Sequence, residues 1–317
     1  MSASRGRAAG IAAGFVADSL FGDPRRGHPV AVFGRGASAL EKLTYSDTRR
    51  AGVLHTGALL GALGALGAAV ERTTRGGMAS TAAATFVALG GTSLARTGEQ
   101  MAALLAAGDV GAARDLLPSL CGRDPAALDS EGLTRAALES VAENTSDAQV
   151  APMMWVAIGG VPAVLVYRGA NTLDAMIGNF SPRYARFGWA AARFDDAANF
   201  VAARVTALLV AACAPVVGGS AAGAVRAWRR DAARHPSPNA GVVEAAFTGA
   251  LGVRLGGPTQ YAHELEIRPT LGDGPPPQVQ DLVRAVRLSR AVQLAAAVVA
   301  VSLSAAGRSG RRAFLRR

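Results

Sequence analysis

Residues 138–199 begin LESVAENTSDAQVAP at 138–152, run on through apolar residues to Val166, and continue as YRGANTLDAMIGN at 167–179 and FGWAAARFDDAAN at 187–199. Glu139, Glu143, Asp147, Asp174, Asp195 and Asp196 lie in this stretch, with Asn144, Asn171, Asn179 and Asn199 among them. Acids and amides beside apolar segments are costly unless they are paired or bind something. Glu139, Glu143 and Asp147 are spaced by four, so a helix aligns them in one acidic stripe, where like charges repel by about 0.2–0.5 kcal/mol per pair. Asp195 and Asp196 stand four and three residues before Asn199, forming a second polar face. Two such faces suit a hydrated Mg²⁺ held by a few oxygens next to phosphates. The same residues also suit a solvated acidic face with helix caps, since Asn144, Thr145, Ser146 and Asp147 are all cap types. Spacing alone leaves both readings open.

The chain has 317 residues, half of them hydrophobic, with mean hydropathy +0.24 and a formal net charge of +10. Its one lysine is Lys42, and every other cationic chain is arginine. The arginines are scattered without interleaved aromatics, which argues against nucleic-acid binding. A basic, apolar chain fits a membrane protein better. Cys121 and Cys213 have neither metal nor redox spacing. The apolar start, Ala8–Leu20, runs into Asp18 and Asp23 and does not read as a cleavable signal.

Outward from the central stretch, apolar segments occur near 8–21, 53–70, 78–95, 150–166, 200–217 and 289–306. The first is short for a span, and the second and third form a plausible hairpin. Gly57, Gly61, Gly64 and Gly67 read as a small-residue packing face. Pro152, Gly159, Gly160 and Pro162 make 150–166 a broken or re-entrant segment. Residues 96–147 and 218–288 read as soluble helical parts. The expectation is an all-α, polytopic membrane protein forming a single domain over 1–317, with roughly four to six embedded helices. FGDPRRGHPV at 21–30 is a loop in which Asp23, Arg25, Arg26 and His28 either meet an anion or form a solvated turn. In RRDAARHPSPNAGVVEAAFTGALGVRLGGP at 229–258, Ser237-Pro238 starts a helix. His235, Asn239, Glu244 and Arg254 crowd around that start. RSGRRAFLRR at 308–317 reads as a membrane-surface or solvated tail. No phosphate loop, dinucleotide fingerprint, HExxH or GxSxG is present.

DSLFGDPRRGHPV, ESVAENTSDAQVAP, YRGANTLDAMIGN, FGWAAARFDDAAN and RDAARHPSPNAGVVEAAFTGALGVRLGGP together resemble the CobD/CbiB family of adenosylcobinamide-phosphate synthases. The blocks keep the family's order over most of the chain. The resemblance implies a helical integral membrane enzyme of cobalamin biosynthesis, in the cell membrane with its site facing the cytoplasm. It implies ATP-dependent amide formation between adenosylcobyric acid and (R)-1-amino-2-propanol or its O-phosphate. ATP with Mg²⁺ and the corrinoid are then substrates, the bilayer is a partner, and other corrinoid-pathway enzymes are possible contacts. Catalysis would fall to Glu139, Glu143, Asn144, Asp174, Asp195 and Asp196, with Glu143, Asp147 and Asp196 as metal ligands. Asp23, His28, Arg168, Asn171, Arg193, Asn199, His235, Asn239, Glu244 and Arg254 would bind substrate or phosphate. The chain departs from the family pattern at Arg168, where a lysine is usual, and at Asn179-Phe180, where an aromatic and a lysine are usual. Two other classes remain: a membrane sensor or regulator related to AmpE, or a transporter, which would need paired broken helices.

Overall fold

A computed structural model of the chain describes residues 3–24, 27–74, 77–178, 181–260 and 265–306. In chain order the helices are α1 (Ala3–Phe21), α2 (Pro29–Thr44), α3 (Arg49–Thr73), α4 (Met78–Ala88), α5 (Gly91–Ala106), α6 (Val110–Leu116), α7 (Ser130–Thr145), α8 (Ala151–Ile177), α9 (Trp189–Cys213), α10 (Ala221–Asp231), α11 (Ala240–Leu251) and α12 (Val279–Ala306). A π-helical turn, Ser146–Val150, joins α7 to α8. Strands β1 (Leu255–Gln260) and β2 (Leu265–Leu271) form one antiparallel hairpin. The all-α membrane expectation holds. Five helical stretches are long and apolar enough to cross a bilayer: Arg49–Thr73, Met78–Ala106, Ser130–Ile177, Trp189–Val217 and Val279–Ala306. Two boundaries differ from the sequence reading. The stretch expected to span 78–95 breaks after Ala88, and the helix of the acidic stripe runs without interruption into the apolar run.

The chain forms two compact units. The first comprises Met1–Gly90, Ala151–Asn199 and Ala296–Arg317. Its helices approach closely because small residues face one another. A Cβ on Gly10 or Gly14 of α1 would stand 2.6 Å from Thr81 or Thr85 of α4. One on Gly67 of α3 would stand 2.5 Å from the backbone of Pro162 in α8. Gly57 and Gly61 face open space, so only the later part of the glycine stripe makes the expected packing face. Ile11, Leu89, Met153, Val156 and Val164 form the core. α8 is broken as its Gly and Pro content implies: Gly160 has φ 69°, ψ −153°, and Pro162 cannot donate a helical hydrogen bond. Among the described residues, no other helix carries such an internal break.

The second unit comprises Gly91–Val150 and Phe200–Ala295. Its α7 packs on α5 and α11, and α11 lies along α10. The hairpin is the one feature of this unit that departs in kind from the helical expectation. Its register shifts between Leu255 and Gly257, where Gly256 and Gly257 both have φ near +90° (88° and 89°). That conformation suits glycine and forms a bulge that bends β1. Leu255 and Leu271, paired across the strands, are buried and anchor the base.

Candidate functional site

The residues singled out in the sequence gather in two clusters, one in each unit. In the second unit, α7 starts at Asp129, whose carboxylate accepts the Gly132 N–H at 2.8 Å. Nearly three turns on, the buried Glu139 has both oxygens engaged. Oε2 pairs with the buried Arg123, and Oε1 accepts the Gly256 N–H at 2.8 Å. Arg135, one turn earlier, donates to the carbonyls of Gly256 (2.6 Å) and Pro258 (2.5 Å). Side chains one turn apart on α7 therefore grip the first strand of the hairpin. Across from Gly257, β2 carries Arg268, whose charge acts on Glu143 and Glu244. Glu143 lies next along the α7 stripe, half-buried, between the charges of Arg268, Arg123 and Glu139. Asn144 instead donates back to Ser140, at 3.0 Å to its carbonyl. Asp147 lies half-buried in the π turn.

Glu244, 2 % exposed on α11, completes this cluster. Its Oε2 is 3.9 Å from His235 Nε2, and its Oε1 is buried without a hydrogen-bond partner among the described residues. Burial pushes the Glu244 carboxyl well above the usual carboxylate range, and the nearby Glu139 and Glu143 push it further. Arg268 and Arg123 oppose them. The Ser237 N–H donates to His235 Nδ1 at 3.0 Å, which assigns the ring proton to Nε2, the edge toward Glu244. Ser237 caps α11 through the N–H groups of Asn239 (3.3 Å) and Ala240 (3.1 Å). Asn239 itself accepts from Arg204 at 3.0 Å. Arg254 is exposed, next to the hairpin.

The cluster in the first unit joins the 21–30 loop to α8 and α9. His28 caps α2, accepting the Val30 N–H at Nδ1 (3.2 Å), with Nε2 3.5 Å from Asp23. Burial lowers the His28 pKa; Asp23 counters this and Arg168 reinforces it. Arg168 donates to Asn171 at 3.2 Å. The buried Tyr167 hydroxyl donates to Asn199 Oδ1 at 2.9 Å, and Asn199 Nδ2 donates to Asp195 Oδ2 at 3.0 Å. Asp174 and Asn171 also face Asp195. On the outer side of α9, Asp196 meets Arg193 at 3.4 Å. Arg25, Arg26 and Asn179 lie outside the described residues, as does the arginine-rich 308–317 segment. Next to Tyr167 an apolar groove of about 280 Å³ opens between Trp155, Pro162, Val166, Phe194 and Ala198.

Of the proposed metal ligands, Glu143 and Asp147 fall in one unit and Asp196 in the other. Among the described residues, no three His, Cys, Asp or Glu side chains are placed to hold a metal ion by themselves. Sequence reasoning missed Arg123, Arg135 and Arg268, single arginines in a chain rich in them. It quoted Tyr167 without giving it a role.

A sequence profile of the family described as CobD/Cbib protein matches residues 11–289. This chain belongs to that family. The cobalamin biosynthesis protein CobD of Mycobacterium tuberculosis (strain ATCC 25618 / H37Rv) is 69% identical over 299 residues, covering 94% of this chain and 96% of that protein. The protein of the same name from Geobacter metallireducens is 42% identical over 268 residues, covering 81% and 83%. That of Chromobacterium violaceum is 41% identical over 298 residues, covering 89% and 94%. No solved structure matches the chain. This CobD/Cbib member thus belongs to cobalamin biosynthesis and, with its five apolar helical stretches, is built as a multi-pass membrane protein.

Proposed function

We propose that this CobD/Cbib member is an ATP-dependent amide ligase. It joins a carboxylate of adenosylcobyric acid to (R)-1-amino-2-propanol or its O-phosphate, at a site open to the cytoplasm. The observation that carries the reading is the grouping of half-buried Glu143 and buried Glu244 within the fields of Arg123 and Arg268. Acids and guanidinium groups gathered in a partly dry site suit a phosphate that arrives with its own cation.

A carboxylate resists attack by an amine until one of its oxygens becomes a leaving group. Transfer of the ATP γ-phosphoryl to that oxygen releases ADP and leaves an acyl phosphate. The amine nitrogen then attacks the acyl carbon, phosphate departs with the C–O bond electrons, and the nitrogen loses a proton. Arg123 and Arg268 would hold the phosphates in place. Mg²⁺, as part of the nucleotide substrate, keeps several waters and needs only one or two protein carboxylates beside phosphate. Glu143 suits that limited role, in keeping with the lack, among the described residues, of a ready-made three-residue metal cage. Glu139, with both oxygens engaged, would position Arg123 and the hairpin.

The test is incubation of purified protein with adenosylcobyric acid, each form of the amine, ATP and Mg²⁺, followed by mass analysis. The expected result is an ATP-dependent amide product, with Glu143→Gln and Asp196→Asn each losing it while still inserting into membrane. Product at the wild-type level in both variants would remove these carboxylates from the site. No product with either amine would refute the ligase reading.

A further inference from the structure

We infer that the start of α3, with the turn that leads into α9, is a docking surface for the headgroup of an anionic phospholipid. All of its parts belong to the first unit. α3 has 25 residues, about 38 Å of helix, against about 30 Å of hydrocarbon in a bilayer. A span of that length leaves its ends at headgroup depth, and the first of them carries Arg49 and Arg50. Gly52 lets the turn lie directly on this end, since a Cβ there would run into the Phe187 carbonyl. Arg183 fastens the turn. It pairs with Glu41 at 2.9 Å, its guanidinium carbon lies 4.3 Å from the Tyr45 ring centre, and its carbonyl accepts the Tyr45 hydroxyl at 3.0 Å. The arrangement sets Trp189 against Arg49, whose guanidinium carbon is 5.2 Å from the ring centre.

Charge decides what the surface can take. The buried Glu41 is already engaged, its Oε1 accepting from Arg183 and from the Tyr184 hydroxyl at 3.0 Å. Asp47 faces Arg186 at 3.8 Å. Lys42, Arg49 and Arg50 are exposed and have no carboxylate partner among the described residues. These are cations in want of an anion. Stacking on Trp189 occupies one face of the Arg49 guanidinium and leaves its N–H edge open, the edge that grips a phosphate as a fork. Beside the cations stand apolar side chains, Leu43 at 85 % and Leu54 at 73 % exposed. A soluble anion has no use for them. A phospholipid brings a phosphate and acyl chains together, and tryptophan at headgroup level suits the same depth.

The experiment titrates the full-length protein, in a non-ionic detergent, with phosphatidylglycerol or phosphatidylcholine of the same acyl chains, and counts bound lipid by native mass spectrometry. Phosphatidylglycerol should bind about tenfold more tightly than phosphatidylcholine. Replacing both arginines, Arg49→Gln with Arg50→Gln, should remove most of that preference. Arg49→Lys, which keeps the charge but not the fork, should keep part of it. Trp189→Leu should weaken phosphatidylglycerol binding a few-fold, and Arg72→Gln, at the other end of α3, should leave it unchanged. Inorganic phosphate at millimolar concentration should not compete. Full competition by phosphate would assign the surface to a soluble anion and overturn the inference. So would equal affinity for the two lipids, or an undiminished preference in the double arginine variant. If that variant does not assemble, Lys42→Gln and Trp189→Leu provide the second reading, and wild-type preference in both is equally decisive against the surface. None of these readings depends on amide formation, so the inference and the ligase reading fail separately.

Discussion

The Glu244 carboxylate stands 3.9 Å from His235 Nε2, with both side chains buried and no hydrogen bond spanning the gap. A charged pair at that depth would close to contact distance. The open geometry fits a protonated Glu244 facing a neutral imidazole, in line with burial and the charges of Glu139 and Glu143 raising the Glu244 pKa. The linkage sign follows. A carboxyl whose pKa is raised on folding contributes stability that is complete below the unfolded glutamate value, and this is lost as pH rises through the folded value. The purified protein is therefore expected to melt at progressively lower temperature as pH rises from about 4.3, the unfolded glutamate value. Glu244→Gln, neutral at every pH, should flatten that decline. Parallel melting curves against pH for the two proteins would refute a protonated Glu244.

Asp231 gives the opposite sign at the base of the hairpin. It is 1 % exposed, accepts two bonds from Arg230 (2.8 and 2.7 Å) and accepts the Gly272 N–H at 2.9 Å. Hydrogen bonding to Arg230 holds its carboxyl below the ordinary aspartate range, with the Gly272 N–H and the charge of Arg234 adding to the effect against burial. This contribution is present above the unfolded aspartate pKa and is lost as pH falls through the folded value. Asp231→Asn should cost about 2 kcal/mol near neutral pH, the scale of a charge-assisted bond to a buried group. It should also weaken the acid-side dependence of melting. A neutral-pH loss that persists undiminished at pH 3 would show that the charge is not what matters.

The membrane helices were legible because some eighteen to twenty apolar residues leave few other options. The break in α8 was legible for a similarly local reason: Gly159, Gly160 and Pro162 lie within four positions. The hairpin was not. LGGPTQ and LEIRPTL carry glycine and proline where strands usually lack them, and the bulge at Gly256 spoils the two-residue alternation. The acids were legible as blocks, but their partners were not. Glu139 meets Arg123, sixteen residues earlier, and Gly256, 117 residues later. Such pairings arise from tertiary packing and leave no periodic trace. The blocks divide between the two units: Asp195 and Asn199 share one with Asp174, whereas Glu139 and Glu143 share the other with Glu244.

Arg135 should act through the hairpin. A two-stranded hairpin is at best marginally stable alone. This one is fastened to α7 by the two Arg135 bonds and by Glu139. Arg135→Ala should speed amide hydrogen exchange in β1 and raise the KM for ATP through Arg268, with a smaller change in kcat. Arg135→Lys, which can keep one of the two bonds, should recover part of both effects. Exchange in β1 at the wild-type rate in Arg135→Ala would show that buried Leu255 and Leu271 hold the hairpin without it.

The last prediction concerns the broken helix. Gly160 takes φ 69° in α8, a region that costs a residue with a side chain about 1 kcal/mol or more. A Cβ there would stand 2.4 Å from Glu71 Oε1 and 2.7 Å from Arg7 NH2, and those two groups form an ion pair at 2.9 Å. The break is thus packed against a charged pair brought by α1 and α3, which is how unwound backbone in an apolar segment is made tolerable. Gly160→Ala has two obstacles, the backbone angle and the ion pair. The expected loss is about 1–3 kcal/mol, read as earlier thermal aggregation of the detergent-solubilised protein. Glu71→Gln should be milder, since it keeps a neutral acceptor for Arg7. The double variant Gly160→Ala with Glu71→Ala separates the causes. If the clash dominates, removing the Glu71 carboxylate recovers part of the stability lost in Gly160→Ala. If the backbone angle dominates, the double variant is less stable than either single one. Gly160→Ala as stable as the wild type would mean that the chain can straighten there, and that α8 does not need its break.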